Sequence, residues 1–178
     1  TLYGSFAKTY KGHGTDRALV GGILGFETDD ERIRDSFKLA KQAGLDFVFE
    51  SAVTEDDDIH PNTVDMEVEG VSGRVLYVRG ESLGGGKVRL TRINGVKVEF
   101  TGEFHALIVV QRDYPGVVAS ITSVLSNYGV NIAYLRVFRE EKGGLAYTIV
   151  ESDEEISENA VAEMKKNPAI EDIMLVKR

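Results

Sequence analysis

The sequence predicts an α+β protein built from two dissimilar parts, and three observations carry that expectation. Apolar residues recur at helical spacing as far as Gly44 and at the two-residue period of strands beyond it. Asn94-Gly95 sits between two apolar-alternating runs, as a hairpin turn requires. From residue 103 onward the pattern reads strand, helix, strand, strand, helix, strand. The division falls after Gly102, giving an α+β domain of two helices and an antiparallel sheet over 1–102 and a smaller domain over 103–178.

The elements follow in order. Leu2-Tyr3-Gly4-Ser5 reads as the end of a strand, and a start at Thr1 without methionine leads us to expect a further segment upstream. A helix spans Thr15–Leu24, although Gly21-Gly22 weakens it by about 1 kcal/mol per glycine relative to alanine. Thr28-Asp29-Asp30-Glu31 has the form of a capping box, in which Thr28 accepts from the amide three residues on and Glu31 reaches back. Ile33, Phe37, Ala40 and Ala43 continue that helix to Gly44, a residue suited to the left-handed stop. Phe47 and Phe49 then predict a strand. Val64, Met66 and Val68 alternate with Asp65, Glu67 and Glu69 in a half-buried strand, followed by strands over Arg74–Arg79, Lys87–Ile93 and Val96–Phe100. Between strands, Glu55–Asp58 reads as a solvated loop, since a calcium loop needs alternating ligands and a central glycine.

In the second part Ala106–Val110 is a strand. The helix from Pro115 places Val117, Val118, Ile121, Val124, Leu125 and Tyr128 on one face, with Pro115 in its first turn and Gly129 as its stop. Asn131–Arg139 and Gly144–Glu151 are strands around Lys142-Gly143, Ile156–Lys166 is a helix, and Ile170–Val176 closes the sheet. This is the βαββαβ order of a ferredoxin-like sandwich.

Composition excludes several functions. The 178 residues include no cysteine, which rules out disulfides, thiolate zinc sites, a cysteine nucleophile and an iron–sulfur cluster ligated by this chain. A net charge of -8 without a basic cluster disfavours nucleic acid. The longest apolar run, Ala106–Val110, falls far short of the ~20 residues of a membrane helix. A cytoplasmic protein without nucleic-acid or membrane partners is expected.

Three histidines are available for chemistry. His13 lies between Gly12 and Gly14, just before Thr15 or Asp16 could cap a helix, and the missing β-carbons would let a ligand or facing subunit come close. Alternatively the glycines serve only a turn and His13 is simply exposed. His60 precedes Pro61 at a loop-to-strand junction and is either a second site residue or the hydrogen-bonding anchor of the Pro61-Asn62 turn. His105 opens a strand and has no evident role. Gly84-Gly85-Gly86 lacks the spacing of a phosphate loop and reads as a tight connection. A Ser5/His13/Asp16 triad is discounted, because Asp16 is too near His13 in sequence for that geometry.

The second part resembles an ACT domain, a small regulatory module that binds amino acids at oligomer interfaces. Gln111-Arg112-Asp113-Tyr114-Pro115-Gly116-Val117 before the first helix and Tyr128-Gly129-Val130-Asn131-Ile132 after it carry the match. The resemblance implies that Gln111, Asp113 and Asn131 hold an amino acid while Gly116 lets it approach the helix N-terminus. A histidine and an asparagine frequent in that family's loop are Gln111 and Asp113 here. The alternative is that Asp113 caps the helix and Asn131 takes a tight turn.

The first part carries Gly4-Ser5-Phe6-Ala7, Gly12-His13-Gly14-Thr15-Asp16-Arg17-Ala18, His60-Pro61-Asn62-Thr63 and Gly84-Gly85-Gly86. In this order ahead of an ACT domain, they resemble the β chain of the bacterial iron–sulfur-dependent L-serine dehydratase, with a first domain like the allosteric substrate-binding domain. The resemblance covers nearly all of the chain, apart from a Ser-Ser-Ser-His-Thr stretch that the family carries upstream of the position of Thr1. It implies a catalytic α chain as partner, whose cysteines hold a [4Fe–4S] cluster, L-serine as substrate, pyruvate and ammonia as products, and homo-oligomerisation through the ACT domain. It places His13, Thr15 and Asp16 at the α-chain active site with His60 as a second candidate, no metal on this chain, and no activity in this chain alone. Two competing readings are a regulatory region similar to the C-terminal half of D-3-phosphoglycerate dehydrogenase and a free-standing amino-acid sensor.

Overall fold

A computed structural model describes residues 1–52, 59–101 and 103–176. The acidic run Glu55–Asp58 and the expected boundary residue Gly102 lie outside the described residues. Contacts divide the chain into two compact units, Thr1–Met66 and Glu67–Arg178, so the strands preceding Gly102 group with the C-terminal part.

The first unit is mainly helical. It holds α1 (Gly4–His13), α2 (Thr15–Ile23), a 3-10 turn over Glu31–Asp35 and α3 (Ser36–Ala43). The α+β class holds, with one α-helix more than the pattern indicated: α1 buries no residue completely, so it carries no clear apolar stripe. Asp30, rather than Thr28, opens the third helical segment, its side chain accepting from the Arg32 N–H, and the first turn is 3-10. Phe47 and Phe49 belong to no strand. They form a tilted aromatic cluster with Phe37 instead, at centroid distances of 4.8 Å for Phe37–Phe47 and 6.2 Å for Phe37–Phe49. The expected strand end at Leu2 is present as single bridges to Ser51 and Val64, with Leu2 fully buried.

Strand β1 (Thr63–Glu69) leads into β2 (Val75–Gly84), β3 (Lys87–Ile93) and β4 (Val96–Phe100), in the sheet order β1-β2-β3-β4. Gly85-Gly86 turns β2 into β3, with Gly84 paired to Lys87, and Asn94-Gly95 turns β3 into β4, with both turn residues at positive φ as a type I′ turn demands.

The remaining elements are β5 (His105–Arg112), α4 (Val117–Asn127), β6 (Ile132–Arg139), β7 (Leu145–Ser152), α5 (Glu158–Met164) and β8 (Ile170–Val176). Their antiparallel sheet runs β6-β7-β5-β8, the ferredoxin-like arrangement. Both faces of its central strands are covered. Leu107, Val109 and Val150 pack under Ile121, Leu125, Val161 and Met164 of the helices. Ile108, Val110, Tyr147 and Ile149, on the opposite face, meet Ile93, Val96, Val98 and Phe100 of β3 and β4. The unbroken apolar run at Ala106–Val110 is therefore that of a strand buried on both sides.

Candidate functional site

The Gly4-Ser5-Phe6-Ala7 and His60-Pro61-Asn62-Thr63 motifs form one junction in the first unit. The Pro61 carbonyl accepts from the N–H groups of Ser5 at 2.6 Å and Phe6 at 3.2 Å, two donors that the first turn of α1 leaves unpaired within the helix. His60 Nδ1 accepts from the Asn62 N–H at 3.2 Å, and the His60 carbonyl accepts from Thr63 Oγ1 at 2.7 Å. A ring nitrogen that accepts leaves the proton on Nε2 in the neutral imidazole. The bond to the Asn62 N–H is the one that the turn-fixing alternative for His60 calls for.

His13 ends α1 and is exposed, and its imidazole has no hydrogen-bond partner among the described residues. Gly14, at φ 73°, closes α1 and opens α2 in the same step, so neither Thr15 nor Asp16 caps the helix. Thr15 is instead the first residue of α2, partly buried. Asp16 is buried at 8% exposure, with Oδ1 accepting from the Arg17 N–H at 2.8 Å. The nine-residue rise along α1 separates its Pro61-bound start from His13 by about 14 Å. His13 and His60 therefore stand near opposite ends of one helix and do not form a pair around a small substrate.

In the second unit the four ligand candidates take different surroundings. Gln111 lies on β5 rather than in the loop, at 1% exposure, with Oε1 accepting from Thr148 Oγ1 at 3.1 Å. Asp113 caps no helix. Its Oδ2 accepts from Arg139 Nη1 and from the Gly143 N–H at 3.2 Å, tying the loop after β5 to the turn between β6 and β7. The Gly143 bond first, then Arg139, holds its carboxyl below the ordinary carboxylate range. Gly116, at φ 89°, is the N-cap of α4, and Pro115 stands just outside the helix rather than in its first turn. Asn131 donates from Nδ2 to Asp153 Oδ2 and from its backbone N–H to Glu154 Oε2, both at 2.7 Å.

Strand register separates these residues. Gln111 pairs with Ala146, which pairs with Arg139, whereas Ile132 pairs with Ser152, which pairs with His105. Six strand steps along β5 and β7, about 20 Å at 3.3 Å per residue, lie between the two rows. Gln111, Asp113 and Gly116 gather at one end of the sheet and Asn131 stands at the other. Sequence reading missed the residues that engage them: Thr148, Arg139, Asp153 and Glu154. Only the Asp153-Glu154-Glu155 run before α5 offered a local signal.

No group of three or more His, Asp or Glu converges among the described residues, and without cysteine the chain does not fit a thiolate-held iron–sulfur cluster. Among the described residues no helix is long and apolar enough to cross a membrane.

Comparison with known proteins adds independent findings. The ACT domain family matches residues 105–169. An L-serine dehydratase β chain of Peptoniphilus asaccharolyticus is 43% identical over 158 residues, covering 89% of this chain and 71% of its own length. A probable L-serine dehydratase β chain of Bacillus subtilis is 39% identical over 172 residues, covering 96% and 76%. The D-3-phosphoglycerate dehydrogenase of Bacillus subtilis is 25% identical over 167 residues, covering 90% of this chain but 30% of its own length.

Proposed function

Since the chain belongs to the family of L-serine dehydratase β chains and carries an ACT domain, we propose that it completes the active site of a cysteine-bearing α chain that converts L-serine to pyruvate and ammonia. The α chain would hold the [4Fe–4S] cluster, for which this chain has no cysteine. Elimination of water from serine requires removal of a weakly acidic Cα proton, and an imidazole titrating near neutrality is suited to such work.

The observation that carries the reading is the setting of His13. Its ring is exposed and unpaired among the described residues, and among those residues nothing beyond the adjoining chain and the helix's own backbone lies within 4 Å of where a β-carbon on Gly12 or Gly14 would sit. A facing subunit can therefore approach the backbone on either side of it. His13 positions substrate or handles a proton there, Thr15 lies beside it, and Asp16 fixes the first turn of α2. His60 holds the Pro61 junction. The reconstituted pair of chains, assayed anaerobically for pyruvate from L-serine, tests this. His13→Ala should lower turnover about a hundredfold, the lower range for a lost acid–base group, while association is kept. Activity in no mixture, or undiminished activity in the variant, would sink it.

The ACT domain binds L-serine between two copies of the chain. Support comes from the separation of its candidate residues: β6 is an edge strand, and two β6 strands running antiparallel would set the Asn131 end of one copy beside the Asp113 end of the other. Asn131→Ala should weaken serine binding in calorimetry, and a chain that stays monomeric with serine present counts against the shared site.

A further inference from the structure

We propose that the connector between β7 and α5 is an internal latch whose carboxylates occupy the donors of Asn131 until an amino-acid carboxylate displaces them. This rests on the reading of Asn131 as a ligand residue. Asn131 offers two adjacent donors, its backbone N–H and Nδ2, and both are filled at 2.7 Å by Glu154 and Asp153. A third bond runs from the Asp153 N–H to the Asn131 carbonyl at 3.3 Å. Two carboxylates on two converging donors reproduce the contact that the α-carboxylate of a free amino acid would make.

The connector is built to move over a short span. Ser152 ends β7 in a buried position, and Ile156 is anchored in the core under the helices. Ser157 caps α5 by accepting from the Ala160 N–H. Between these fixed points Asp153, Glu154 and Glu155 are exposed. Beside the connector lies a small cavity lined by His105, Ala106, Glu155, Ile156, Leu175 and Val176. His105 Nδ1 is buried there with no hydrogen-bond partner. Opening the connector breaks the two Asn131 donor bonds, the bond from the Asp153 N–H to the Asn131 carbonyl, and the bond from Ser152 Oγ to the Glu154 carbonyl at 2.9 Å.

When the latch holds most molecules closed, the apparent dissociation constant of the ligand rises in inverse proportion to the open fraction. Calorimetry of the full chain with L-serine tests this, using Asp153→Ala/Glu154→Ala, the shape-keeping Asp153→Asn/Glu154→Gln, and Asn131→Ala. The alanine pair should tighten serine binding about tenfold, the change expected if a tenth of the molecules are open. The amide pair should tighten it less, because an uncharged acceptor bonds more weakly. In hydrogen exchange, L-serine should speed exchange in wild-type peptides spanning residues 150–158, as a displaced connector requires and a merely structural one does not. If the carboxylate variants bind serine unchanged or more weakly while Asn131→Ala still weakens binding, the latch is overturned and the ligand site stands. If serine binds none of the four proteins, the ligand site itself is wrong and the latch falls with it.

Discussion

Gly4 and Pro61 are packed so closely that a β-carbon on Gly4 would lie 2.7 Å from both the Cα and the carbonyl oxygen of Pro61. This contact is made by backbone on both sides, so no side chain can swing away to relieve an intruding atom. It joins the first and third sequence motifs of the N-terminal unit. Gly4→Ala, which also meets a φ of +54°, should lower stability by about 1–3 kcal/mol, measured as a reduced urea midpoint at unchanged m-value. A midpoint equal to wild type would show that the junction is looser than described.

Gly12 separates folding from assembly. It lies within α1, and among the described residues a β-carbon there would meet nothing within 4 Å beyond its own helix backbone and chain neighbours. Gly12→Ala should therefore stabilise the isolated chain by up to about 1 kcal/mol through helix propensity. If the open space is where a partner subunit settles, the same change should lower pyruvate production by the reconstituted enzyme. Higher thermal stability with full activity would remove the argument that this glycine admits a partner.

Gln111 and Thr148 are a buried pair on the helix-covered face of the sheet. Thr148→Val removes the donor and leaves Gln111 Oε1 without that bond, at a cost of about 1–3 kcal/mol. Gln111→Leu combined with Thr148→Val should recover part of that loss, since neither polar group remains. A double-mutant cycle by denaturation reads the coupling, and strict additivity would contradict the bond. Gln111 is buried whereas Asn131 is exposed, so serine binding should respond less to Gln111→Ala than to Asn131→Ala.

Asp113 sets an acid limit on the β5–α4 loop. Its carboxyl is held below the ordinary range by the Gly143 N–H and Arg139, so the folded state binds its proton less readily than the unfolded chain. Its stabilising contribution is fully present above the unfolded value of about 3.9 and is lost as pH falls through the lower folded value. The stability difference between wild type and Asp113→Asn should be constant near neutrality and shrink only below about pH 4. A difference that already fades between pH 7 and 5 would assign the effect to another group.

Local chemistry made much of the fold legible. The Asn94-Gly95 hairpin, the alternation at Val64–Val68 and the βαββαβ order each follow from a few adjacent residues, and all are present. The first helix escaped notice because its residues bury no complete apolar face. Phe47 and Phe49 misled because a spacing of two also serves two rings that pack at a tilt against Phe37 without forming a strand. At Thr28–Glu31 the sequence places the cap on Thr28, whereas Asp30 accepts from the free amide of Arg32.

By itself the sequence determined most of the elements, the βαββαβ order of the second part, and the motifs that single out His13, His60, Asp113 and Asn131. Only the tertiary structure decided what those side chains meet: Gln111 turned inward to Thr148, and Asp113 bound at one end of the sheet while Asn131 is held by Asp153 at the other. It also decided that strands β3 and β4 cover the face of the sheet opposite the helices. The reason is physical. Propensity, capping and turn chemistry act between near neighbours in the chain, whereas register and the covering of each sheet face arise between residues tens of positions apart, where no local pattern states which partner is chosen.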